Sequence, residues 1–222
     1  MRLLCRTDLY FLLRYILKRA DAQREWIFDR CREIQASPNG HIDIWSREHY
    51  KSTIITFAKT IQDVLSSHGD DPLPEWGGKE LTVGIFSFNR PSAKKFLRQI
   101  KIEFESNSEL KELFPDILYT NPAREATKWS EDDGIVVKRK SNPREATVEA
   151  SGLVDGQPTG MHYGLRLYDD VVTLESARTA EMIKKTTQAW GLSLSLGSEG
   201  GYERYVGTFY ADGDTYADII DR

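Results

Sequence analysis

The residues from His41 to Leu65, HIDIWSREHYKSTIITFAKTIQDVL, run from an apolar stretch into a polar knot and then into an amphipathic segment. Lys51 followed by Ser52 and Thr53, between a strand and a helix, has the form of the end of a phosphate-binding loop. In such a loop the ammonium reaches the β and γ phosphates, the hydroxyl holds Mg²⁺, and the first helical amides face the anion. The usual pattern G-x-x-x-x-G-K-[ST] also supplies glycines, which let the backbone approach the phosphates. Here Ser46 and Tyr50 stand in the glycine places. If Tyr50 requires a positive φ, its side chain costs about 1 kcal/mol or more. Taken alone, the segment also reads as a polar turn between strand and helix.

A second group lies far downstream in YDDVVT, where a strand candidate ends at Asp169-Asp170. One carboxylate could bind Mg²⁺ and its neighbour could orient an attacking water. The alternative is an acidic turn capping the next helix. Two basic groups could meet phosphates without reading sequence: Lys94, Lys95, Arg98 and Lys101 along one helix, and Lys138-Arg139-Lys140 beside Arg144. They read equally well as solvated helix faces and a lysine-protected edge strand. ADGDTYADIID lacks the glycine and closing glutamate of a calcium loop and reads as a helix cap. His41, His49, His68 and His162 show no metal-ligand spacing, although His49 lies inside the loop.

These groups need a scaffold. With 222 residues, 40% of them hydrophobic, the chain can bury a full core, and a net charge of -4 means that a nucleic acid must find a local basic patch. Cys5 and Cys31 form no C-x-x-C motif, which suits packing in a reduced, intracellular protein. The N-terminal apolar segment has no uncharged run beyond the five residues 9–13, far short of the about 20 that span a membrane.

Apolar spacing predicts helices over 9–17 and 26–34, the latter stopping near Ser37-Pro38-Asn39-Gly40. A strand at 41–45, a helix at 52–65, a strand at 81–88 and a helix at 91–104 follow. The stretch 115–163 is less regular, with WSEDDGIVVKRK and ATVEASG able to form a hairpin or two edge strands. GLRLYDDVVT then gives a strand, 176–190 a helix, RYVGTF a last strand, and DTYADIIDR the start of another helix. Alternating strands and helices imply a mainly parallel, three-layer α/β sheet, with ligands beyond the carboxyl ends of its strands.

SREHYKST, YDDVVT and YVGTFYADGD, in this order and across essentially the whole chain, resemble the ATPase half of the large terminase subunit of tailed bacteriophages, a DNA-packaging motor. The resemblance implies a P-loop NTPase (RecA/ASCE-like), with residues 1–40 as an N-terminal helical extension and 41–222 as the ATPase core. It implies ATP and Mg²⁺ as cofactors. The nucleotide loop would comprise Arg47, Glu48, His49, Tyr50, Lys51, Ser52 and Thr53, with Arg47 and Lys51 on phosphates. Ser52 and Asp169 would hold the metal. Asp170 occupies the position of the catalytic acid, where the family commonly has Glu, and Glu175 is the alternative. Gly207-Thr208 corresponds to the coupling motif. Arg47 is the arginine finger in cis, while Arg144, Arg178 and Arg204 are open as a finger in trans. Trp26 and Arg30 could meet adenine, although a tryptophan buried between helices is the plainer reading.

The implied partners are double-stranded DNA, a portal protein, a small terminase subunit and further copies in a ring, a pentamer by resemblance. The implied setting is the host cell cytoplasm, with docking at the prohead portal vertex and no membrane. The family's nuclease domain is expected to be absent from this chain, whose abrupt end suggests a longer parent. Two other readings share the residues: another P-loop helicase or translocase, and a degenerate nucleotide- or DNA-binding module without turnover.

Overall fold

The computed structural model describes residues 1–222. Seven strands form one mixed sheet: β1 (His41–Ile44), β2 (Val83–Ser87), β3 (Trp129–Ser130), β4 (Gly134–Ile135), β5 (Val148–Gly152), β6 (Tyr163–Asp169) and β7 (Gly197–Gly207). Their order is β1-β7-β6-β2-β5-β4-β3. The first five in that order pair in parallel, whereas β4 is antiparallel to both β5 and β3. The expected mainly parallel sheet is therefore present.

Nine α-helices are α1 (Arg2–Thr7), α2 (Leu9–Phe11), α3 (Glu25–Ala36), α4 (Thr60–Ser67), α5 (Arg90–Ser106), α6 (Ser108–Leu113), α7 (Pro122–Glu125), α8 (Ala180–Ser193) and α9 (Thr215–Ile220). Wide π-helical turns continue α2 through Leu12–Ile16 and lead into α4 through Thr53–Lys59. Leu9, Leu12, Ile27 and Cys31 share one apolar core with Ile54, Phe57 and Ile61 and with Val83 and Leu165 of the sheet. A smaller core on the other face packs Phe86, Tyr168 and Tyr205 against Trp190 of α8 and Tyr216 of α9. Both sheet faces are thus covered, as a parallel sheet requires. No helix is long and apolar enough to cross a membrane.

Three elements differ from the sequence expectation. The helix after the 46–53 loop is buried on almost every side because α1 covers its back, so Asp63, Gln62 and Ser66 lie inside. WSEDDGI makes a hairpin by itself, while ATVEASG becomes an interior strand between β2 and β4, since Val148 and Ala150 alternate into the core. Lys138, Arg139 and Lys140 lie outside the strands. The helix expected from 176 begins at Ala180, because hydroxyl bonds between Thr173 and Ser176 close a turn first and Thr179 then caps the helix.

Candidate functional site

The carboxyl ends of β1, β7 and β6 carry three sequence signals, and β7, with Gly207-Thr208, separates the other two strands. Trp45 extends β1 by donating its N–H to Gly207 O at 3.1 Å. The chain then turns through Ser46–Tyr50 with positive φ at Glu48 (65°) and Tyr50 (61°). For side chains of this size the left-handed region costs about 1–2 kcal/mol each. Asp170, across the site, also has a positive φ, of 48°. Strain in residues other than glycine, gathered in one place, points to function.

An aromatic buttress holds the turn. Tyr50 lies edge-on to Trp26 at 6.3 Å and donates its hydroxyl to Asp21. Trp26 in turn meets Trp45 edge-on at 5.8 Å, and the Arg30 guanidinium sits 4.6 Å over Trp45 while pairing with Asp43. Trp26 is thus half-buried against the loop rather than buried between helices. Arg30 is committed to Asp43 and Glu33. His49 is exposed, with Nδ1 2.9 Å from Ser46 Oγ and 2.7 Å from Arg47 O.

This geometry leaves the backbone open. No N–H from Ser46 to Thr53 has a hydrogen-bond acceptor in the protein, whereas Tyr50 O accepts from Ile54 N at 2.8 Å and starts the helix. A run of free amides at a helix start is an anion-binding arrangement. Glu48 and Arg47 are exposed, and Arg47 lies over the Tyr210 ring at 5.5 Å, donating to its hydroxyl. That bond raises the guanidinium above its ordinary pKa.

Lys51 is 7% exposed, and its Nζ donates to Trp45 O at 2.9 Å and to Thr208 Oγ1. Burial lowers its pKa, while Asp170 and Asp169 oppose that shift. Ser52 Oγ donates to Asp169 Oδ1 at 3.1 Å, and Thr56 donates to the other oxygen of the same carboxylate. Asp169 is fully buried, and burial followed by the charge of Asp170 pushes its pKa up to about 7. Asp170 is raised too, chiefly by burial, and its Oδ1 is buried without a partner. The buried carboxylate of Asp169, the half-buried one of Asp170 and the Ser52 hydroxyl are oxygen ligands that suit a hard divalent cation, while the Lys51 ammonium suits the phosphate oxygens that would share it.

Gly207 is fixed by packing. A Cβ there would lie 1.8 Å from the Tyr216 hydroxyl, which itself donates to Val206 O at 3.3 Å. Tyr216 is placed by α9, which Asp214 caps through Tyr216 N at 2.9 Å. The remaining arginines separate clearly. Arg204 pairs with buried Asp63, alongside Lys59, so it is unavailable as a finger. Arg144 donates to Gly160 O at 3.2 Å, and Arg178 is exposed. Glu175, exposed on the turn before α8, makes no bond to the site.

Thr56, Tyr210 and Ser87 were not singled out from sequence. Thr56 carried a readable signal, lying four residues after Ser52 on the same helical face. Ser87, at the end of β2, is fully buried with its hydroxyl unpartnered. A cavity of about 710 Å³ lies elsewhere, at the amino ends of the strands between Trp76, Glu80, Ser141, His162 and Tyr202. Converging charged groups, rather than volume, mark the candidate site. No protein-family profile matches the chain, and no curated protein matches it.

Proposed function

We propose that this chain is an ATP-hydrolysing P-loop motor domain of the large-terminase kind, driving double-stranded DNA. The supporting observation is the convergence of Lys51, Ser52, Asp169, Asp170 and Thr208 beside a turn whose amides are free. The position of β7 between the loop strand and the Asp169 strand is in keeping with a RecA/ASCE-like sheet. The DNA, the portal, the small subunit, the ring and the cytoplasmic setting come with the terminase resemblance.

In this reading the amides from Ser46 to Thr53 cradle the phosphates, with Lys51 at the β and γ groups. Ser52 and Asp169 would hold magnesium, which neutralises phosphate charge when bound. Asp170 orients a water toward the γ phosphorus and takes its proton as the bond to ADP breaks. Its burial raises its proton affinity, which suits a base. Lys51 must leave Trp45 O and Thr208 to reach a phosphate, so occupancy of the loop is felt at the end of β7. That exchange gives Thr208 a coupling role.

The test is phosphate release from ATP. Lys51→Ala should lower the rate by at least about 100-fold, since one charged transition-state contact contributes this much or more. A wild-type rate in that variant rejects the assignment.

A further inference from the structure

The basic side of α5 already holds an anion made by the chain itself. Arg90, Lys94, Arg98 and Lys101 recur at spacings of four, four and three, forming one stripe about 16 Å long. The turn between β3 and β4, Glu131-Asp132-Asp133, lies along that stripe. Arg98 makes two parallel bonds to Glu131, both 2.7 Å. Lys94 pairs with Asp132, and Arg90 donates to Asp132 O at 2.7 Å. Lys95, on the outer side of the helix, is exposed and unpaired.

We propose that this stripe is a binding surface for the phosphate backbone of duplex nucleic acid, and that the Glu131-Asp132 turn occupies it as a displaceable mimic of that backbone. The proposal rests on the DNA-motor reading for its ligand, and three observations carry it. Spacing concentrates positive charge on one helix of a chain whose net charge is -4. Asp132, 70% exposed, holds Lys94 by a surface pair that is weak and opens by side-chain rotation, whereas Glu131, 27% exposed, grips Arg98 by two bonds and is the stronger contact for a duplex to displace. A duplex offers a denser line of charge, about one per 1.7 Å, against two carboxylates. The stripe also starts beside the candidate site, since Phe88 N donates to Asp170 O at 3.3 Å two residues before α5 begins. Backbone contact there would lie next to the hydrolytic carboxylate.

The experiment measures binding of a fluorescent duplex of about 30 base pairs, without nucleotide, over a range of salt. Glu131→Gln/Asp132→Asn should tighten binding about tenfold near 0.1 M salt and steepen the salt slope by about 2. The same pair of changes in a Lys94→Gln/Arg98→Gln background should give no gain. Glu181→Gln/Glu199→Gln, which changes net charge equally at exposed positions away from α5, should change binding less than about twofold. No tightening, an equal gain in that control, or a gain that persists without Lys94 and Arg98 overturns the proposal. Because these measurements use no ATP, they stand apart from the Lys51→Ala test: tightening as expected with an unaffected Lys51→Ala rate would keep the surface and reject the motor.

Discussion

The two ends of the sheet solve the same geometric problem with opposite residues. At the amino end, the turns beside the 710 Å³ cavity take positive φ at Gly77, Gly78 and Gly200, where a Cβ would meet nothing. At the carboxyl end, positive φ falls on Glu48, Tyr50 and Asp170. The polar groups differ likewise. Glu80 at the amino end is satisfied by Lys140 N, Ser141 N and the Ser141 hydroxyl, while Asp170 keeps a buried oxygen without a partner. Around that cavity the open turns are glycines and the Glu80 carboxylate is satisfied, leaving the Trp76 indole N–H as its buried unpartnered polar group. At the carboxyl end a strained turn, free amides and an unpartnered carboxylate oxygen come together.

The largest way to break this comparison is chemical. Asp170→Asn should lower ATP turnover by about 100-fold or more, as loss of a general base does, while Glu175→Gln leaves it near wild type. The reverse result in steady-state phosphate release would move the catalytic acid to the 173–176 turn. At the amino end, Lys79→Ala should not alter the rate.

His68 sharpens the contrast from the other end. Burial holds its pKa down at about 4, against an ordinary 6.5, and its Nδ1 lies 3.0 Å from Ser67 Oγ. The unfolded chain therefore takes up a proton before the folded one does. Stability is full above about pH 6.5 and is lost as pH falls through about 4, by up to roughly 3 kcal/mol. Urea unfolding of His68→Gln should show that slope removed.

Gly207→Ala tests whether the end of β7 is set by packing. The clash with Tyr216 should cost roughly 2 kcal/mol, read as a lower melting temperature, with part recovered by adding Tyr216→Phe. The smallest effects have opposite signs at the two ends. Gly77→Ala should cost about 1 kcal/mol, because its positive φ remains in open space. Glu48→Gly should gain about 0.5 kcal/mol, strain relief exceeding the added chain entropy. A loss on Glu48→Gly would mean that the turn is not strained.

Much of the fold was legible because period and punctuation are local properties. Ile54, Ile55, Ala58 and Ile61 announce a helix, and Ser37-Pro38-Asn39-Gly40 ends another, whatever surrounds them. ATVEASG was not legible as an interior strand, since its neighbours β2 and β4 come from different parts of the chain. Within the candidate site, Lys51, Ser52 and Asp169 are legible by type and spacing, whereas Thr208 comes only with the terminase resemblance. Thr56 was passed over because a threonine in an apolar helix looks like packing until a carboxylate arrives from β6.

The sequence by itself determined the alternation of strands and helices, the Lys-Ser loop end and the paired aspartates, because backbone preference and side-chain chemistry belong to each residue. Only the tertiary structure decided which charges remain free. Burial and partner choice depend on elements distant in the chain: Asp63 captures Arg204, Asp43 captures Arg30, and Glu131 and Asp132 cover α5. The same folding brings Ser52 to 3.1 Å from Asp169, a pair 117 residues apart.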